Sequence, residues 1–146
     1  MSFSLNYFQD ILPDDMYQKL FSLILTDRGS EFAKPQLFEI NHETGEIRGN
    51  IFYCDAQMPS QKPHVENNHE FIRSIIPKKT SMKELTQDKL DLMFSHINSV
   101  PRKSFGGKTP YEAFEFFYGK ETLDILNIQK IEKDKVTLQP YLLKLK

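Results

Sequence analysis

Two acidic residues, Asp27 and Glu66, are candidate ligands for a divalent metal ion. Asp27 follows the apolar run Leu23-Ile24-Leu25, which predicts a buried strand leading into a turn. Ligands of open α/β sheets gather at the carboxyl ends of strands. Glu66 begins the polar face of a helix predicted over about residues 64–76, and Mg²⁺ prefers carboxylate oxygens. The pair suggests metal-assisted phosphoryl transfer, although a turn aspartate and a helix N-terminal charge would give the same spacing.

The polar face of that predicted helix carries more than one titratable group. Glu66, His69, Glu70 and Arg73 follow one another at helical offsets of 0, 3, 4 and 7, so they share one side. His69 lies one turn after Glu66, where it could support a metal ligand or contact a phosphate. An ordinary structural role for His69 explains the same position.

Basic residues are concentrated in the second half of the chain. Residues 1–72 hold 5 Lys and Arg against 11 Asp and Glu, whereas residues 73–146 hold 14 against 9. The stretch from Arg73 to Lys108 contains 8 basic and 3 acidic residues. Such a basic segment is typical of proteins that bind a polyanion. A solvated lysine-rich surface has the same composition.

The composition favours one globular domain in a reducing compartment. A chain of 146 residues with 39% hydrophobic and 27% charged residues can build one modest core. No apolar run approaches the roughly 18 residues of a membrane span, and the N-terminus lacks the basic and apolar pattern of a secretory signal. The single cysteine, Cys54, can form neither an intramolecular disulfide nor a cysteine-rich zinc site, so we interpret it as a small buried residue.

The first half of the chain predicts helices, a strand and a hairpin. Short helices are predicted over residues 4–12 and 14–21, before the strand that leads to Asp27. Residues 37–54 predict a β-hairpin with its turn at Thr44-Gly45.

The second half is predicted to be mostly helical. A regular stripe predicts a helix over residues 86–98, with the apolar positions Leu90, Met93, Phe94 and Ile97. Thr109 and Pro110 predict the start of another helix, which Gly119 ends. Its aromatic residues are interpreted as helix packing: Phe114, Phe116, Phe117 and Tyr118. His96 is interpreted as a packed histidine and residues 135–138 as a late strand, so the fold class is α/β with few strands.

Three sequence blocks occur in a fixed order: LTDRGSEF at residues 25–32, FYCD at 52–55 followed by SQKPHVENNH at 60–69, and HINSVPRK at 96–103 followed by TPYEAF at 109–114. Together they resemble the catalytic region of DDE transposases and integrases, specifically the insertion-sequence-thirty family of bacterial transposases. The resemblance implies a ribonuclease-H-like core that cuts and joins DNA with three carboxylates and two Mg²⁺ ions. Asp27 matches the second aspartate of that triad, and Glu66 matches its glutamate.

The resemblance also implies roles for residues around the carboxylates. Asn67 and His69 would contact the metal-binding side chains and hold them in position. Lys62 would lie in the loop before the glutamate helix and contact the DNA backbone. The further candidates for backbone contact are Arg73, Arg102 and Lys103.

The chain departs from the family pattern in three ways. No segment matches the first aspartate or the first three strands of the fold, so we expect weak or absent Mg²⁺ binding and no strand transfer by the chain alone. We also expect an open sheet edge and an uncovered apolar face that favour association. Arg28 stands where the family has Asn, and Pro63 stands where it has Gly.

We therefore interpret residues 1–118 as a partial ribonuclease-H-like core, α/β in class and mostly helical in its C-terminal half, and residues 119–146 as a tail. The expected partners are DNA and either a second copy or a full-length transposase, in the bacterial cytoplasm near the nucleoid and without a membrane. Three alternatives remain: a DNA-binding or dimerising inhibitor without catalysis, a decayed remnant, and a piece whose missing strands come from another reading frame.

Overall fold

The computed structural model describes residues 2–55 and 63–145. The chain divides into two compact units, Met1–Lys62 and Pro63–Lys146. Each unit has a hydrophobic core of its own. In the part described, no helix combines the length and the apolar character that crossing a bilayer requires.

The described part of the first unit contains three helices and two strands. In chain order they are α1 (Ser2–Ile11), α2 (Asp14–Phe21), β1 (Leu23–Thr26), α3 (Gln36–Glu39) and β2 (Asn50–Tyr53). A 3₁₀ turn over Ser30–Phe32 follows β1. The two predicted helices and the predicted strand are confirmed within one or two residues, which is the usual uncertainty of element ends.

The two strands pair in parallel, and this overturns the predicted hairpin over residues 37–54. β2 pairs with β1 in the register Leu23 to Asn50 through Thr26 to Tyr53. Residues 36–39 form α3 instead of a strand, and this helix places Phe38, which is 2% exposed, in the core of the first unit. The expected turn at Gly45 does occur, with a φ of 71°, but it closes only a single antiparallel bridge between Ile40 and Ile47.

The two faces of this small sheet differ in burial. Side chains alternate along a strand, so Ile24 and Ile51 share one face, and that face packs on the core of Leu5, Phe32 and Phe38. The opposite face carries Leu23, Leu25 and Phe52, which are 61%, 47% and 53% exposed. The strand before Asp27 is therefore buried on one face only, whereas parallel strands are normally covered on both.

The second unit contains helices joined by turns and loops, and its described part has no strand. Its helices are α4 (Pro63–Ile75), α5 (Gln87–Asn98), α6 (Pro110–Tyr118) and α7 (Lys120–Ile125). The buried core consists of Ile75, Ile76, Met93, Ile97 and Leu143. The boundary predicted at residue 118 falls between α6 and α7, and it stays a prediction.

Two predictions for this unit are wrong. Residues 135–138 form no strand, because the Thr137 amide donates to the His96 ring and Leu138 packs on the core. The aromatic residues of α6 are not all packed: Phe116 and Phe117 are 82% and 73% exposed.

The helix ends of the second unit follow their sequence signals. Thr109 and Glu112 form a reciprocal capping box, with Oγ1 of Thr109 accepting from the Glu112 amide at 3.1 Å and Oε2 of Glu112 accepting from the Thr109 amide at 3.0 Å. Gly119 ends α6 at a φ of 81°, a backbone angle that favours glycine. Thr86 caps α5 in the same way as Thr109 caps α6.

Candidate metal and nucleic-acid site

Asp27 lies at the carboxyl end of β1 and is exposed. It directly follows Thr26, the last residue of the strand, and its Oδ1 accepts a hydrogen bond from the Gly29 amide at 3.2 Å. This contact is an Asx-type turn, which directs the chain away from the strand and fixes the aspartate at the sheet edge. The position agrees with the strand-end site expected for a ligand-binding carboxylate.

Asp55 is a second exposed carboxylate at this edge, and the sequence analysis missed it. The Cys54 amide donates to the Thr26 carbonyl oxygen at 2.7 Å, so the parallel pairing continues past both strands. Asp55 therefore leaves the sheet at the same edge as Asp27. The prediction of a hairpin, which is antiparallel, concealed this proximity. A parallel pairing of the LTD and FYCD blocks would have indicated it.

A cavity of about 330 Å³ opens beside Asp27. Its lining residues are Arg28, Gly29, Ser30, Phe32, Ala33 and Tyr53. The Tyr53 hydroxyl donates to the Phe32 carbonyl oxygen at 2.6 Å, which fixes the cavity wall to the 3₁₀ turn. Arg28, the residue that departs from the family pattern, is an exposed cation at this cavity. A phosphate group would be the natural ligand of such a cation.

Glu66 occupies the first half of α4, in the second unit, and its side chain lies outside the described residues. The Asn67 side chain is likewise outside them, and so is the whole of Lys62. His69 and Arg73 are exposed on α4. The roles predicted for these residues stay predictions.

The described sheet edge carries carboxylates without forming a complete metal site. Asp27 and Asp55 have carboxylate oxygens, the hard ligands that Mg²⁺ prefers. Within residues 2–55 and 63–145, no three side chains of His, Cys, Asp or Glu are grouped closely enough to hold a metal.

Arg102 and Lys103 differ in their surroundings although they are adjacent. Lys103 is exposed at the start of a 3₁₀ turn over Lys103–Phe105. The Arg102 guanidinium lies over the Phe71 ring, 4.0 Å from its centroid, and burial lowers the pKa of Arg102. The sequence alone predicted the same role for both residues, contact with the DNA backbone.

Two reactive side chains are occupied by packing, as predicted. Cys54 is buried. His96 is 7% exposed, its Nδ1 accepts from the Thr137 amide at 3.1 Å, and burial lowers its pKa. Neither residue has the exposed acid–base neighbourhood of a nucleophile or a catalytic base.

Comparison with known proteins supports the motif resemblance. The chain is 39% identical over 89 residues to the transposase InsI of insertion sequence element IS30A from Escherichia coli K12. It is 33% identical over 91 residues to a putative integrase, ORF3, of Spiroplasma virus SpV1-R8A2 B. It is 32% identical over 98 residues to the transposase of insertion sequence element IS4351 from Bacteroides fragilis.

These similarities cover part of each protein. They span 61%, 62% and 67% of this chain, and 22%, 27% and 28% of the three relatives in the same order. The chain therefore corresponds to about a quarter of the curated relatives that it matches. No family model matches the chain. No solved structure matches it either.

Proposed function

We propose, from the relationship of this chain to the transposases of insertion sequences, that it forms part of the catalytic region of a DDE transposase with a ribonuclease-H-like core. In this reading the chain serves a Mg²⁺-dependent reaction that cuts and joins DNA strands. The observation that carries the proposal is the position of Asp27. It is the acidic residue of the LTDRGSEF block, and it follows a parallel strand at the edge where α/β proteins bind ligands.

Asp27 and Glu66 are the two residues that would bind the metal. Bound Mg²⁺ would supply charge stabilisation at the scissile phosphate and lower the pKa of the attacking hydroxyl group. The two carboxylates would hold the ion. The first aspartate of the triad would come from polypeptide outside these 146 residues, since Asp10, Asp14 and Asp15 lie in helices and Asp55 follows Asp27 in the sequence.

Cations on the second unit and its entry would contact the DNA backbone. Arg73 and Lys103 are exposed, as phosphate-contacting side chains need to be. Lys62 precedes α4 in the QKP segment of the resemblance. Each contact would release counterions, so the affinity for DNA would fall with rising salt.

A nicking assay tests whether the chain needs further polypeptide for catalysis. The purified chain, incubated with supercoiled DNA and Mg²⁺ or Mn²⁺, should produce no nicks above those of the Asp27→Asn variant. The physical reason is the missing ligand, because loss of one metal-binding carboxylate severely weakens both metal affinity and activity. Robust nicking that disappears in Asp27→Asn would refute the dependence on a third carboxylate from elsewhere.

A second candidate function is binding without catalysis, in which the chain associates with DNA or with a full-length transposase and inhibits it. The observation that favours association is the apolar sheet face of Leu23, Leu25 and Phe52, each about half exposed or more.

DNA affinity measured against salt concentration tests whether the chain binds DNA through phosphate contacts. Neutralising Lys62 and Lys103 together should reduce the salt slope by about two contacts. An unchanged slope would exclude phosphate contact by these two residues.

A further inference from the structure

Arg102 is half-buried, and its side chain makes three contacts within the second unit. Its guanidinium lies over the ring of Phe71 on α4, 4.0 Å from the centroid. Nη2 also lies 3.5 Å from Oδ1 of Asn68, on the same helix, and 3.4 Å from the carbonyl oxygen of Ile97, near the end of α5. One side chain thus bridges the middle of α4 and the last turn of α5.

The backbone on both sides of this side chain is fixed. The Arg102 amide donates to the Lys108 carbonyl oxygen at 2.9 Å, and the Arg102 carbonyl oxygen accepts from Phe105 and Gly107 at 3.1 and 3.0 Å. The tight loop is possible because Gly106 and Gly107 adopt φ values of 61° and 87°. Arg102 therefore enters the α4–α5 contact from a rigid loop and not from a mobile surface segment.

The guanidinium is held without a carboxylate among the described residues. Its Nε is buried, and no described group accepts the Nε hydrogen. An aromatic face and carbonyl dipoles stabilise a cation that is partly removed from water. A side chain in this state is poorly placed to reach a phosphate, because it would have to leave the ring and break both contacts.

The contact lies on the side of α4 away from the polar face of Glu66, His69 and Arg73. Asn68 and Phe71 are three positions apart and share one side of the helix. Position 66 precedes Asn68 by two residues, which is a rotation of about 200° in an α-helix. Arg102 therefore supports the helix from behind the position of Glu66.

We propose that Arg102 is a positioning residue that clamps the middle of α4 against the end of α5, and so holds the helix that bears Glu66, rather than a DNA contact. The functional importance of that helix rests on the proposed transposase function. The clamp itself is independent of it.

Lys103 is the matched control, since it is the next residue, has the same charge and is exposed. Amide hydrogen exchange of residues 64–72 should be at least about fivefold faster in Arg102→Met than in the native chain, and unchanged in Lys103→Met, because local protection follows the contacts that close the segment. The salt slope of DNA binding should fall by about one in Lys103→Met and stay the same in Arg102→Met. The opposite pattern, with native exchange and a lower slope in Arg102→Met, would overturn the proposal.

Two further variants keep the test decisive if Arg102→Met does not fold. Phe71→Leu leaves the cation in place and removes the ring, so exchange in residues 64–72 should rise while the salt slope is unchanged. Arg102→Lys keeps the charge but loses the planar fork, and its exchange rates should lie between those of the native chain and Phe71→Leu. Native exchange rates in both variants would refute the clamp.

Metal binding separates this proposal from the transposase function. If Mn²⁺ binding depends on Glu66, Arg102→Met should weaken it several-fold, and should have no further effect in a Glu66→Gln background. If the native chain shows no Glu66-dependent binding, the metal role fails while the exchange measurements still decide whether Arg102 acts as a clamp.

Discussion

His96 illustrates how a chemically versatile side chain becomes structural. It is buried in α5, where its unprotonated Nδ1 accepts the amide hydrogen of Thr137. Protonation of Nδ1 would remove that acceptor and place a charge in an apolar region. Burial therefore lowers the pKa of His96 below its ordinary value near 6.5.

This shift predicts acid sensitivity of the second unit. As the pH falls below about 6.5, the unfolded chain binds a proton at His96 before the folded chain does. The free energy of unfolding therefore decreases in this range. The stability contributed by neutral His96 is complete above that pH. His96→Asn keeps an acceptor near Nδ1 and cannot titrate. Between pH 7.5 and 5.5, the free energy of urea unfolding should change less in this variant than in the native chain. The slopes of that free energy against pH should differ by the amount expected for up to about one bound proton. Parallel loss in His96→Asn and the native chain, with His69→Asn as the exposed control, would contradict this.

At the same scale, sequence could identify candidates for chemistry but not their surroundings. Asp27 was predictable because an apolar run ends directly before it. Asp55 was not, because its position depends on which strand pairs with β2 and in which direction. Arg102 and Lys103 cannot be separated by composition, since the contact with Phe71 joins residues 31 positions apart in the sequence.

Among the elements, helices with local end signals were predictable and strand partners were not. Thr86, Thr109 and Gly119 act on backbone groups within four residues, so their effect can be read from adjacent sequence. The pairing of β1 with β2 is non-local, because paired residues such as Leu23 and Asn50 are 27 positions apart in the sequence. The turn at Thr44-Gly45 and the strand signal of residues 51–54 therefore predicted a hairpin with the wrong partner.

The capping box of α6 should contribute measurably to stability. Thr109→Ala removes the acceptor for the Glu112 amide, and we expect a loss of about 1 kcal/mol in unfolding free energy. Thr109→Ser keeps the hydroxyl and should remain near the native value. Chemical unfolding monitored by circular dichroism measures both. Equal stability of the Ala and Ser variants would show that the cap contributes nothing.

Gly49 marks the point where β2 enters the sheet. A Cβ at this position would collide with the carbonyl oxygen of Phe21, at the end of α2. Backbone cannot yield as a side chain can, so Gly49→Ala should destabilise the first unit by about 1–3 kcal/mol. Gly45→Ala, which meets no atom within 4 Å, should cost only the strain of a positive φ, about 1 kcal/mol. A smaller loss for Gly49→Ala than for Gly45→Ala would contradict the close approach of the two segments.

For the molecule as a whole, the sheet face of Leu23, Leu25 and Phe52 is the feature that a complete α/β fold would cover. Two strands make a small sheet with both edges unpaired among the described residues. Sheets in this state recruit further chain by edge pairing or by face-to-face packing. The chain matches 22% of the length of the InsI transposase of Escherichia coli.

Removal of this apolar surface should reduce self-association. Leu25→Thr combined with Phe52→Thr should lower the oligomer fraction in sedimentation velocity at micromolar to millimolar concentrations, because it removes exposed apolar area. The monomer should keep its unfolding midpoint, since exposed substitutions cost roughly 0.5 kcal/mol or less. Asn50→Thr alters the same face without removing an apolar side chain, and should associate like the native chain. Equal association in all three proteins would exclude this face as the contact surface.

Paramagnetic broadening by Mn²⁺ tests most directly the claim that Asp27 and Glu66 serve one divalent site. In amide NMR spectra of the chain, substoichiometric Mn²⁺ should broaden the resonances of residues 27–29 together with those of residues 65–69. Asp27→Asn and Glu66→Gln should each abolish the broadening in both segments, whereas Glu70→Gln, one turn further along α4, should leave it intact. Broadening confined to one of the two segments would contradict the shared site.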